Sequence, residues 1–359
     1  MRLASLADLT PGDVDAWKSL AEHSIEPNPF FEPEFLIPAL RYLDPEHKAR
    51  VLVIAEDADM LLCLPVVPAG RWRRFPFPVL VAWRHDYAFL GTPLVHEASV
   101  ETASAAFAEH LLKGSAPARF AVLERVDVNG QVLQALRSAL NRQSVISQSF
   151  ARPVLHRRPD GDYLASLGRE RRRRLQQRRR ALEREVGPVH VVDHAGDSDG
   201  ARRFLDLEAS GWKGVAGTAF ASNPSHSAFY EEMAAQFAAE GRLELLALQT
   251  ETGSVLAMAT RLIAAEGVFS FKIAYDEQYR KFGPGRLLDV ALLSEFDQRP
   301  RQEWVDSCTG VENEFKESLF PERRSVGTVL LPTGARTSSI AIRAVPKFFS
   351  LRSRLGRAR

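Results

Sequence analysis

Cysteine is scarce in this sequence: Cys63 and Cys308 are the only two in 359 residues, and they lie far apart. Neither has a second thiol or a histidine at metal-ligand spacing, which argues against a disulfide framework and against a structural zinc site; no metal is expected. Long apolar runs are absent too, none approaching the roughly 20 residues that a membrane-spanning helix needs. The opening stretch, MRLASLADLTPGDVDAW, lacks a signal-peptide core because Asp8 and Asp13 interrupt it, so the expected location is the cytoplasm. What remains is 45% hydrophobic and 26% charged, the balance of a soluble globular chain long enough for two domains.

A net charge of +2 conceals segregation. Nine arginines stand between Arg169 and Glu185 against three glutamates, and residues 334–359 hold six arginines and one lysine with no acid. Leu164, Leu167, Leu175 and Leu182 give the internal basic segment one apolar stripe, so its arginines should face outward. Without interleaved aromatics or a surrounding recognition module, nucleic acid is not the expected partner. The tail SIAIRAVPKFFSLRSRLGRAR mixes apolar residues with arginine, which suits peripheral contact with anionic lipid or a disordered end.

Periodicity predicts an α/β chain. In the first part, helices are expected at Asp13–His23 and up to Tyr42, then strands at Arg50–Glu56, Met60–Val67, Val79–Trp83 and Tyr87–Leu90. Helix Ser99–Leu112, strand Ala118–Glu124, helix Val132–Leu140 and strand Val145–Phe150 follow. From Tyr163 a long helix should run to Val186, where Gly187-Pro188 stops it. Beyond it come strand Val189–Asp193, helix Gly200–Gly211, the glycine-bearing segment WKGVAGTAF and helix Ser227–Glu240. Strands Leu243–Thr250, Val255–Ile263 and Val268–Tyr275, helix Arg286–Phe296 and strand Glu303–Cys308 complete the series.

Between strand Val268–Tyr275 and the helix that follows it lies RKFGPGRL, with Arg280, Gly283 and Gly285 in an R-x-x-G-x-G arrangement. Glycines allow a sharp turn and close approach of backbone to a ligand, so N–H groups and the positive end of the helix can cradle a pyrophosphate. Lys281 and Arg286 add charge, while Pro284 stiffens the turn and removes one donor. A Pro-Gly turn with arginines placed only for helix-start reasons is the structural alternative. The pattern is common by chance; its position after FKIAYDEQY and before an amphipathic helix makes it informative.

Three segments, DYLASLGRERRRRLQQRRRALERE, LEASGWKGVAGTAF and FKIAYDEQYRKFGPGRLL, resemble the CelD-type acetyltransferase branch of the GNAT superfamily, associated with exopolysaccharide biosynthesis. Fem-type aminoacyltransferases look like more distant relatives. The resemblance covers about 160–330 and is weaker over 1–155. It implies tandem GNAT-like domains, each with a mixed, mainly antiparallel sheet flanked by helices. The expected division is a degenerate domain at 1–155, the catalytic domain at 156–332 and a basic tail at 333–359. It further implies acetyl-CoA or another acyl-CoA as co-substrate and an amine or hydroxyl of a small-molecule or glycan-precursor acceptor. The donor would contact Ile273, Ala274, Tyr275, Arg280, Lys281, Phe282, Gly283, Pro284, Gly285, Arg286 and Leu287.

Acyl transfer needs a base, oxyanion donors and an acid for the leaving group. Glu208, Asp276, Asp306 and Glu312 are the carboxylates available, Tyr275 and Tyr279 the phenols, and the sequence does not rank them. Trp212, Lys213, Lys272, Glu312 and Lys316 are candidates for the acceptor side. Trp212 packed on the core and an Asp306–Lys316 structural ion pair are the plain alternatives. Cys308 reads as a small buried residue, having no adjacent histidine to activate it. An acyl-CoA-dependent N-acyltransferase is the leading expectation; an aminoacyl-tRNA-dependent Fem-type transferase and a non-catalytic GNAT-fold binding protein are the alternatives.

Overall fold

Alternating strands and amphipathic helices occur twice along the chain in the same order. The computed structural model describes residues 1–345 except 74, 114–117, 160, 165–166, 295 and 311–312. The first series is β1 (Arg2–Ala4), α1 (Pro11–Glu22), α2 (Pro33–Tyr42), β2 (Arg50–Glu56), β3 (Asp59–Ala69) and β4 (Val79–Ala82), with a short β5 (Leu94–Val95) set on β3. It continues with α3 (Val100–Lys113), β6 (Phe120–Asp127), α4 (Gln131–Leu140) and β7 (Val145–His156). After α5 (Arg169–Val186) the second series runs β8 (Val189–Asp193), α6 (Gly200–Ser210), α7 (Trp212–Val215), α8 (Pro224–Ala239), β9 (Leu243–Thr250), β10 (Val255–Ala264) and β11 (Gly267–Tyr275). It ends with α9 (Pro284–Ser294), β12 (Trp304–Asp306), α10 (Glu314–Leu319) and β13 (Glu322–Pro332).

Local chemistry accounts for several of these boundaries. At the start of α1, Thr10 accepts from Asp13 N–H while Asp13 reaches back to Thr10, a capping box reinforced by Pro11 in the first turn. In α5 the stripe of leucines is buried, Leu175 and Leu182 inside the core and Leu167 just before the helix, while its arginines stay on the outside. The helix starts at Arg169 rather than Tyr163, but Tyr163 and Leu164 still pack on the same core.

Contacts divide the chain into two units, 1–151 with 324–359, and 152–323. In the first, the strand order is β1-β2-β3-β4-β6-β13, all neighbours antiparallel except β4 and β6. In the second it is β7-β12-β11-β10-β9-β8, all antiparallel except β11 and β12. Each parallel pair needs a crossover, and α3 and α9 supply them at equivalent places. Each unit is thus a mixed, mainly antiparallel sheet with helices, and the two repeat one plan.

The closing strands are exchanged. The inner end of β7, the last strand of the first series, pairs with β12, and β13, the last strand of the second series, pairs with β6. Residues 324–332 therefore belong with the first unit, not with the 156–332 segment in which the sequence reading placed them. The basic tail also begins later than expected. Residues 338–345 are helical, and Ile342 and Val345 are buried beside Trp72 and Phe120 in the core of the first unit. Their three-residue spacing places both on one helix face. Residues 346–359 lie outside the described residues.

Three further differences are local. Tyr87–Leu90 is not a strand, since Ala88 N–H turns back to His85 O, and Leu94–Val95 pairs with β3 instead. The WKGVAGTAF segment contains the one-turn α7, and α10 was not foreseen. Among the described residues no helix is long and apolar enough to cross a membrane.

Candidate functional site in the second unit

The site begins with a parting of strands. β11 and β12 pair only over Gly267–Phe269 and Trp304–Asp306. Beyond that point, Ser270–Tyr275 has no strand on this side among the described residues. A bulge re-aims the open segment: Thr260 faces Lys272 but Arg261 faces Ser270, so Phe271 is the extra residue. Val268, Ile273 and Tyr275 consequently all pack on the α9 side, which the alternation of a regular strand would forbid.

The backbone direction follows from one hydrogen bond. Asp276 N–H donates to Leu256 O at 3.0 Å, and the antiparallel ladder alternates from there. Peptide groups of Ala274 and Lys272 face β10, and those of Ile273 and Tyr275 face the open edge. Lys213 Nζ donates to Ile273 O at 3.1 Å on that edge, as the alternation requires.

The chain then makes the expected turn. Gly283 has φ 67 and ψ 55, a left-handed conformation natural to glycine. Asp276 caps the preceding short 3-10 turn by accepting from Gln278 N–H at 2.9 Å, which assigns it a structural contact. Pro284, Gly285 and Leu287 are buried at the start of α9, and Phe282 beside them. Arg286 and Leu287 N–H groups close on Gly283 O at 3.0 and 3.1 Å, and Pro284 has no N–H. The turn is therefore poor in outward donors, and cationic side chains must supply more of any anion recognition. Arg280 is exposed, Arg286 lies over the Phe315 ring, and Lys281 pairs with Glu185 of α5 at 2.9 Å.

A loop closes over the open edge. Glu208, its side chain almost wholly buried, accepts from Lys213 Nζ at 2.8 Å and from Phe220 N–H at 2.9 Å. Both carboxylate oxygens are thus engaged in anchoring residues 211–220. Gly214 is required here because a Cβ would collide with Ala209 O. Trp212 is 58% exposed and Val215 92%, so Trp212 is not the core residue that the plain reading offered.

A cavity of about 150 Å³ lies in the parting, between β11, α9 and the segment after β12. Lys272, Ile273, Asp289, Ser307, Cys308, Thr309, Asn313 and Lys316 are among its walls. Lys316 Nζ meets Asp289 Oδ1 at 2.6 Å, both side chains nearly buried. Asp289 was missed by sequence reading, although an acid inside the apolar run RLLDVALL was a legible signal. Lys272 holds its ammonium 4.9 Å above the Phe220 ring. Cys308 is buried with φ 52, its N–H bonded to Asp306 Oδ1 at 2.7 Å.

Asp306 itself is fully buried, 3.5 Å from Arg152 Nη1, so its ion-pair partner is Arg152 and not Lys316. Tyr275 ends β11 half-buried. Burial, and then the neighbouring Glu277 carboxylate, push its phenol above the usual range, and the phenol is neutral at physiological pH. Tyr279 packs on the core around α9. Glu312 lies outside the described residues. The turn, the open edge, Lys213, Lys316 and Lys272 are thus brought to one region, and Asp306 is set into the protein interior.

Comparison with known proteins agrees with this architecture. Residues 169–317 match the family model described as acetyltransferase (GNAT) domain. No curated protein matches the sequence. Among solved structures, FemX is similar over 95% of this chain and 100% of its own, with TM-score 0.59 and 12% identity. L-PGS from Bacillus licheniformis is similar over 97% and 98%, with TM-score 0.56 and 14% identity. A conserved protein of unknown function from Bacteroides thetaiotaomicron covers 90% and 98%, with TM-score 0.57 and 13% identity. At such identities the likeness is one of fold. The chain thus repeats one mixed α/β plan in two units, and the second contains the segment that matches the acetyltransferase (GNAT) domain model.

Proposed function

We propose that the chain is an acyl-CoA-dependent N-acyltransferase of the CelD-type branch. It would transfer an acetyl or longer acyl group to an amine, or a hydroxyl, of a polysaccharide or cell-envelope precursor. The observation that carries this reading is the left-handed Gly283 turn opening α9 directly beside the unpaired edge of β11. A pyrophosphate suits the turn, and an extended pantetheine suits the peptide groups of Ile273 and Tyr275 that face the strand-free edge, where Lys213 already meets Ile273 O.

The chain's own groups fit the reaction's needs. Peptide N–H groups on the open edge can meet developing charge on a carbonyl oxygen. A neutral Tyr275 phenol can give a proton to a departing thiolate. Lys213, held by Glu208, adds fixed positive charge at the edge, and exposed Trp212 offers an aromatic surface to the acceptor. Cytoplasmic location, with the basic segment 346–359 touching anionic lipid, completes the proposal.

Calorimetry with acetyl-CoA tests it. A Cβ at Gly285 would stand 3.3 Å from Ile273 Cδ1, so Gly285→Asp adds both bulk and negative charge to the cradle. Binding by the wild type and its loss in Gly285→Asp are expected; equal binding by both would sink the assignment. Release of CoA with a panel of amines separates an enzyme from a non-catalytic binding protein.

A second reading, a Fem-type transferase using aminoacyl-tRNA, is favoured by the likeness to the full length of FemX and by the exposed arginines of α5. It predicts tRNA binding that weakens steeply with salt, and no affinity for acetyl-CoA.

A further inference from the structure

We infer that α5, which precedes the second series of elements, supplies Arg178 as a ligand for the donor's pyrophosphate. The site is then a clamp of turn and helix. This inference rests on the acyl-CoA reading.

The turn is short of outward N–H donors, and two of its own cations are occupied: Lys281 by Glu185, and Arg286 by the face of Phe315. Arg178 reaches the same turn from outside. A methyl group on Gly283 would stand 3.7 Å from Arg178 Nη1. Arg178 and Glu185 are seven residues apart and so lie on one face of α5, about two helical turns from each other. The Glu185–Lys281 pair therefore holds that face toward the turn. Leu175 and Leu182, buried in the core shared with α9, prevent the helix from rolling away.

The guanidinium itself is available. Arg174 and Arg179 pair along the helix with Glu170 and Glu183, whereas Arg178 makes no ion pair or hydrogen bond among the described residues. It is exposed at its helix position. Its planar fork can take two oxygens of a diphosphate at once, which a lysine cannot. With no acid opposite it, bringing a pyrophosphate to Gly283 would pair this charge without breaking an existing contact.

Calorimetric titration of acetyl-CoA into wild type, Arg178→Ala, Arg178→Lys and Arg173→Ala distinguishes the outcomes. Arg173 sits on another face of the same helix and controls for general loss of charge. Arg178→Ala should bind about tenfold more weakly, Arg178→Lys should fall between it and wild type, and Arg173→Ala should stay within about twofold. Thermal midpoints should be alike; where alanine lowers the midpoint, Arg178→Gln replaces it. Affinity in Arg178→Ala within about twofold of wild type, or an equal loss in Arg173→Ala, overturns the inference and leaves the donor assignment standing. A wild type that does not bind acetyl-CoA overturns both.

Discussion

At the scale of single residues, the candidate site is organised by buried charges that hold one another. Glu208 is the clearest case, since one carboxylate fixes the ammonium of Lys213 and the N–H of Phe220, and through them the loop bearing Trp212. Its leucine variant would strand a buried N–H and leave the lysine without its counter-charge. A loss of about 2–4 kcal/mol in urea unfolding is expected for Glu208→Leu, with a smaller loss for Glu208→Gln. A Glu208→Gln protein with wild-type stability but no activity would point to proton transfer as the role of this carboxylate instead. The same logic separates Asp289, which lines the cavity with its partner Lys316, from Asp306, which spends its charge on Arg152 and on the Cys308 turn.

Among elements, α4 shows how a buried acid can serve a helix and still carry a cost. Glu26 accepts from Val132 N–H at 2.7 Å, satisfying a donor in the first turn of α4. Burial raises its pKa from 4.5 despite the hydrogen bonds from Val132 and Gln131 that oppose the shift. The folded state therefore holds this proton more tightly than the unfolded chain does. Stability from this group is full below the unfolded pKa and is lost as pH rises through the folded one. Glu26→Gln cannot ionise, so its stability relative to wild type should improve between pH 4 and pH 7. Denaturant midpoints measured across that range check the sign; a constant difference would show that Glu26 titrates normally.

How far elements were legible depended on where their partners lie. The Gly283 turn and β11 could be read because their signals are local: a glycine where φ is positive, a run of apolar residues, an arginine before it. The bulge at Phe271 could not, because it is a mismatch of register between two strands. Nor could the length of the β11–β12 pairing, on which the open edge depends. Arg178 looked like one arginine among nine until α5 was seen to pack its Glu185 against Lys281. Asp289 needed the same help, since its partner Lys316 comes 27 residues later.

On the scale of the whole chain, the exchanged strands explain why domain boundaries resisted reading. β13 finds its partner at Phe120–Asp127, roughly two hundred residues earlier, and no local pattern announces so distant a pairing. The exchange also makes the two units unequal. The second unit is contiguous, residues 152–323, and contains the inner end of β7 that β12 requires. The first is built from two separate segments, because β6 is completed only by β13. A fragment of residues 1–151 would leave the apolar edge of β6 unpaired and uncover the core positions filled by Leu330, Ile342 and Val345. Such an edge recruits other chains. Expressed separately, 152–323 should be soluble and melt cooperatively by circular dichroism, whereas 1–151 should aggregate or lack a cooperative transition. Supplying residues 324–345 to the shorter fragment through a flexible linker should restore its folding. Cooperative melting of 1–151 alone would mean that the returning strand decorates an already complete sheet.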